Sequence, residues 1–175
     1  DQIAINEAPV PAFENNSGLP VFEENGNLVT FTGTMAFDGV FSERILPWKV
    51  VFDSSVGALT GYELGNRNLV AEPLMPCFTR ALTENDLGAR FNNHQKMWRF
   101  PELSVSDFAV EEQEDCYAVS VKFKPIAGAA AVGVTYYVYA DGTVAAVESL
   151  KDAGGLEKCS MLPRFGMQLA MPGEY

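Results

Sequence analysis

A chain of 175 residues with 47% hydrophobic and 20% charged residues has the composition of a folded protein and is long enough to bury the core of one or two small domains. Its formal net charge of -11, with twelve Lys and Arg scattered singly, argues against nucleic acid and against an anionic membrane surface as partners. No stretch approaches the roughly 18 apolar residues of a membrane span, and the first residues show no basic region leading into an apolar core.

Residues 1–20 combine Pro, Asn and Gly with single apolar residues, the pattern of a linker or an extended edge segment. We expect residues 1–47 as a whole to form a connecting segment with at most an edge strand. From Leu28 onward, short apolar runs are punctuated by turn residues about every ten positions, which predicts an all-β chain.

Trp48 to Asp53, a polar turn through Ser54, Ser55 and Gly57, and the return from Ala58 to Tyr62 predict a hairpin. A weaker one turns at Gly65-Asn66. Residues 93–99 hold the only helical stretch expected. Tyr117, Val119, Val121 and Phe123 alternate with Ala118, Ser120, Lys122 and Lys124, placing one set on each face of a strand. Two further apolar runs flank Asp141-Gly142, which predicts a type I′ turn with positive φ at both residues. Repeated hairpins of this kind fit an antiparallel β-sandwich better than a closed barrel.

The residues themselves argue against self-contained catalysis. Cys77, Cys116 and Cys159 lack metal-ligand spacing and are expected as free, mostly buried thiols. His94 is the single histidine, expected at the surface, so triads and multi-histidine metal centres lack their parts. Glu111, Glu112, Glu114 and Asp115 read as a solvated turn between strands. Trp48 and Trp98 are expected in the core. We therefore expect no catalytic residue and no metal site in this chain.

Phe52 to Tyr62, Pro73 to Gly88, Tyr136 to Val144 and Leu162 to Leu169 follow one another, and in that order they resemble the carboxy-terminal β-sandwich region of family-2 β-galactosidases of the bacterial lactose-splitting type. Phe52-Asp53 through Gly57, Leu59 and Tyr62 is similar to that family's opening hairpin. Pro73 to Gly88 (PLMPCFTRALTENDLG) resembles its PL-x-x-x-F-x-RAP-x-DND-x-G stretch, with Leu82 in place of Pro and Glu84 in place of Asp. The remaining two are Tyr136 to Val144 and the LPR-x-G run from Leu162. Together they cover roughly residues 48–175.

The resemblance implies a galactose-mutarotase-like super-sandwich, of which residues 48–175 would be the first part. It also implies a glycosidase whose two glutamates lie in a separate barrel, so this region would be accessory. Its expected partners are the other domains of the parent and a galactoside sugar. Cofactors are expected to be absent here, with divalent and monovalent cations held by other domains. The loop with Arg80, Glu84, Asn85, Asp86, Gly88 and Arg90 would border the sugar pocket and shift as sugar binds, Gly88 absorbing the backbone change. Tyr137 and Tyr139 share a strand face and are candidate sugar-stacking residues. A different class of function, an autonomous carbohydrate-binding module, stays open, as does self-association of an isolated chain through uncovered sheet edges. The missing initiating Met points to a processed chain or an excised segment, and the compartment, cytoplasmic or periplasmic/secreted, is undetermined.

Overall fold

The computed structural model describes residues 18–38, 43–90, 93, 96–159 and 161–173. Two antiparallel sheets face each other, as an all-β sandwich requires. The larger contains β1 (Val21–Asn25), β2 (Leu28–Asp38), β3 (Glu43–Asp53), β4 (Ala58–Leu64), the short β5 (Arg67–Asn68), β6 (Glu72–Pro76) and β11 (Met167–Ala170). Its strand order is β1-β2-β3-β4-β6-β11, with β5 paired to β4. The smaller contains β7 (Val105–Glu112), β8 (Cys116–Phe123), β9 (Ala130–Tyr139) and β10 (Val144–Asp152), in the order β10-β9-β8-β7.

The alternation between residues 117 and 124 is used as expected. Val119, Val121 and Phe123 are buried, whereas Lys122 and Lys124 are exposed. β9 repeats the pattern, with Val132, Val134, Tyr136 and Val138 all at 2% exposure or less.

Rings bridge the sheets. Phe52 meets Tyr136 at 5.0 Å between centroids, and Phe31 meets Tyr117 at 5.3 Å. Each such pair is worth about 0.5–1.5 kcal/mol beyond the area it buries. Two tyrosine hydroxyls then set how the sheets align: Tyr62 donates to the Gly142 carbonyl at 2.6 Å, and Tyr136 donates to the Leu74 carbonyl at 3.2 Å.

Both tryptophans are in the core, Trp48 at 2% exposure and Trp98 at 1%. Trp48 explains a volume constraint at two glycines. A Cβ on Gly33 would come within 2.7 Å of its indole and one on Gly142 within 2.9 Å. Gly142 also has φ of 85°, which only glycine adopts without strain.

Three expectations need correction. Residues 21–38 and 43–47 are not a connecting segment, because β2 and β3 pair continuously from Leu28↔Asp53 to Asp38↔Glu43, and Val29 and Phe31 enter the core. A boundary at residue 47 would cut β3 in half. At Asp141-Gly142, positive φ falls on Gly142 and not on Asp141. Gly142 N–H bonds to Tyr139 O, and Tyr139 N–H to Thr143 O, so the loop has three residues and ends in a left-handed glycine. Third, the Arg80–Arg90 segment is not all loop: α1 (Glu84–Gly88) lies within it. The expected helix near residues 93–99 is present as α2 (Lys96–Arg99), with Asn93 also helical, while His94 lies outside the described residues.

Candidate functional site

The candidate loop leaves the sheet at the end of β6 and is organised around one carboxylate. Thr83 is the N-cap of α1 and Asp86 its third residue, so each reaches back to the other: Asp86 N–H bonds to Thr83 Oγ1 at 3.3 Å, and Thr83 N–H bonds to Asp86 Oδ2 at 2.8 Å. This reciprocal capping satisfies helix donors that would otherwise be open. The Thr83 hydroxyl also donates to Oδ2, at 2.9 Å.

Arg80 completes the arrangement. Its two terminal nitrogens donate to the two Asp86 oxygens at 2.6 and 3.0 Å, the paired geometry that suits guanidinium and carboxylate. Nη1 also bonds to Ala81 O at 3.0 Å. The Arg80 guanidinium, helped by the Thr83 amide, holds the Asp86 carboxyl well below the usual carboxylate range. Asp86 is buried at 5% exposure, although Glu84, Asn85, Gly88 and Arg90 around it are exposed.

Of the six loop residues picked out from sequence, the structure therefore joins Arg80 and Asp86 directly. Glu84 and Asn85 project from the first turn of α1. Gly88 closes that helix in open space, where a Cβ would meet nothing within 4 Å, and its φ is not positive. The unusual backbone is instead at Arg90, with φ of 57°.

The strand residues Tyr137 and Tyr139 lie in the other sheet. They point away from the core face that holds Tyr136 and Val138. Tyr139 is nevertheless buried at 8% exposure, so of the two only the half-buried Tyr137 offers part of its ring to solvent.

A feature not read from sequence lies just before the loop. A cleft of about 490 Å³ is lined by Pro73, Pro76, Phe78, Trp98, Phe100 and Gln168, among others. Phe78 packs on Trp98 at 5.7 Å inside it. Phe100 stands on its rim at 83% exposure, with the Arg99 guanidinium 5.5 Å from its ring centre. An apolar run beside a helix gives no sign of which ring will be left outside, so only the placement of α2 reveals it. Cys77 also lines this cleft and is buried; all three cysteines are free, with Cys77 and Cys116 buried and Cys159 partly so. Among the described residues no cluster of His, Cys, Asp and Glu has the arrangement of a metal site, and no helix is long and apolar enough to cross a membrane.

Residues 46–175 match the family described as beta galactosidase small chain. The chain belongs to the β-galactosidase small-chain family. A β-galactosidase of Halalkalibacterium halodurans is 29% identical over 131 residues, which is 73% of this chain and 13% of that protein. One from Priestia megaterium is 31% identical over 123 residues, 69% of this chain and 12% of the relative. A third, from Lactobacillus delbrueckii subsp. bulgaricus, is 35% identical over 100 residues, 55% of this chain and 10% of the relative. The chain thus aligns with about one eighth of the length of the relatives it matches. In this small-chain region, the family match opens within β3 and takes in the capped Arg80–Asp86 loop, the cleft and the whole second sheet.

Proposed function

We propose that this chain is a non-catalytic accessory region of a β-galactosidase that hydrolyses terminal β-galactosides. Its contribution is interdomain packing together with a preformed loop, Arg80 to Arg90, beside a sugar pocket built mainly by other domains. The observation that carries the reading is the locked Arg80–Asp86 pair inside the small-chain match. A surface loop of this length held by a capping box and a two-pronged ion pair is rigid at its base and polar at its tip, which suits contact with a hydroxylated ligand.

The carboxyl groups support an accessory role: Glu148, whose pKa burial raises, has both oxygens closed to solvent, and the others considered are tied up. Retaining glycoside hydrolysis needs two carboxyls about 5 Å apart, one of them with a raised pKa to act as acid. Asp86 is moved the opposite way and spends both oxygens on Arg80 and Thr83. Asp53 is bound up in its turn by Ser55, and Asp152 by the backbone amides of Gly154, Gly155 and Leu156.

A second reading, an autonomous carbohydrate-binding module, draws on the aromatic cleft with exposed Phe100 and on the half-exposed Tyr137. Two measurements on the purified chain separate them. The accessory reading expects no cleavage of a chromogenic β-galactoside above a buffer blank, and no micromolar heat of binding with galactose or lactose. Hydrolysis would overturn it, and micromolar binding without hydrolysis would favour the module.

A further inference from the structure

Among the described residues, Glu148 is the carboxylate whose two oxygens are both buried without a hydrogen-bond partner; the Trp48 indole N–H is also buried and unbonded. It lies on β10, in register with Val134 of β9, and the strand's alternation puts it on the core side with Val144, Ala146 and Leu150. Both of its carboxylate oxygens are sealed from solvent, and among the described residues no donor bonds to either. Burial alone pushes its pKa up to about 7. An unpaired buried carboxylate is costly and calls for an explanation, and a partner group outside the chain would supply one.

The surroundings show where a partner would enter. Among the described residues β10 is the last strand of its sheet, so one row of its backbone N–H and C=O groups has no described strand beside it. The opposing sheet roofs β9 completely but not β10. Val132, Val134, Tyr136 and Val138 are at 2% exposure or less, whereas Val144, Glu148 and Leu150 are only partly buried and Ala146 is exposed. The edge is long, nine residues, and contains no proline. Val147 on its outer face is 42% exposed.

We propose that the free edge of β10 docks a β-strand carrying an arginine or lysine that pairs with Glu148. The strand comes from another domain of the β-galactosidase polypeptide, and this source rests on the accessory reading above. Charge decides the occupant. A basic side chain supplies the donors both oxygens lack, and it brings positive charge to a chain of net charge -11. A second copy of this chain fits poorly, because antiparallel pairing of two β10 edges about their centres would bring one Glu148 towards the other.

The test uses three nine-residue strand peptides of alternating Thr and Val, with Arg, norleucine or Glu at the centre. Each is titrated into the isotope-labelled chain at pH 8 and followed by NMR. The Arg peptide is expected to shift the amides of Val144 to Asp152 and to bind on the order of tenfold tighter than the norleucine peptide, with the Glu peptide weakest. Glu148→Gln should erase most of that difference, and Glu148→Val, which keeps a strand-forming residue, should do the same. Equal affinity for Arg and norleucine peptides, no binding, or shifts centred on β7 or β11 would overturn the proposal. So would a dimer of the free chain whose interface maps to β10. Galactose titration of the same sample reports separately on the accessory reading: sugar binding would remove that reading while leaving the peptide result to judge the edge.

Discussion

Asp86 and Glu148 are both carboxylates withdrawn from water, and the molecule treats them in opposite ways. Asp86 sits in a short helical turn where Arg80 and Thr83 meet it with four hydrogen bonds, so its charge is settled locally and its pKa falls. Glu148 lies on a regular strand, whose backbone is committed to β9 and whose neighbours on the same face are Ala146 and Leu150; among the described residues no donor bonds to it, and burial raises its pKa. Burial by itself disfavours charge; donors within reach reverse the sign. The capped turn is complete within residues 80–86, whereas the β10 edge is complete only when something else arrives.

The largest effect should come from breaking the complete site. Asp86→Asn removes the ion pair and weakens the cap, and it leaves the Arg80 guanidinium without its carboxylate. Hydrogen exchange at the amides of Asp86, Leu87 and Ala89 should then speed up by roughly tenfold or more while the strands stay protected. Unchanged protection would mean that the ion pair does not hold the loop.

Filling the incomplete site should act in the other direction. Glu148→Val at pH 8 removes an unsatisfied group from the core side of β10 and should raise stability by about 1–3 kcal/mol, read from the urea midpoint. The benefit should shrink at pH 4.5, where the folded wild-type carboxyl is neutral and the unfolded one only about half ionised. Destabilisation at pH 8 would show that Glu148 has a donor after all.

The pH profiles sharpen the same contrast. Glu148 has a folded pKa raised from 4.5 to about 7, so the stability linked to its proton is fully present below pH 4.5 and is lost as pH rises through about 7. Asp86 is depressed, so its contribution is present above its ordinary value of 3.8 and is lost as pH falls through its lowered folded range. Stability should therefore fall between pH 5 and 8 in the wild type. Glu148→Val should flatten that limb and leave the acid limb in place, and Asp86→Asn should do the reverse.

The smallest effects test the frame around the two groups. Tyr62→Phe leaves the Gly142 carbonyl without its 2.6 Å donor and should cost about 1 kcal/mol. Thr83→Ala should cost about the same within the loop, and Thr83→Ser only part of it, visible as faster exchange near α1. Equal behaviour of the Ala and Ser variants would mean that the hydroxyl is not the cap.

Much of the frame was legible in the residues. Alternation from Tyr117 to Lys124 and from Tyr136 to Tyr139 set which side chains share a face, and Gly57 and Gly142 mark turns at positive φ as turn chemistry requires. The capped turn was half legible. Thr83 and Asp86 stand three apart, a capping-box spacing, yet with Asp in place of the usual Glu or Gln the stretch reads as plain loop. Gly88 drew attention as a flexible point, although the left-handed backbone belongs to Arg90. The early strands were missed because Val21 to Pro47 mixes Gly, Pro and charge with short apolar runs, and pairing along β3 outweighs that local composition.

The sequence by itself determined an all-β chain of hairpins, the family resemblance, and which residues share a face along the strands it marked, such as Tyr117 to Lys124. Parity is local, since successive side chains alternate whatever lies beyond them. The tertiary structure alone decided that the roof over β9 stops short of β10, that Tyr139 is covered while Phe100 is not, and that Arg80 folds back onto Asp86. Those outcomes depend on which surfaces meet across the sandwich, and no single strand's pattern carries that information.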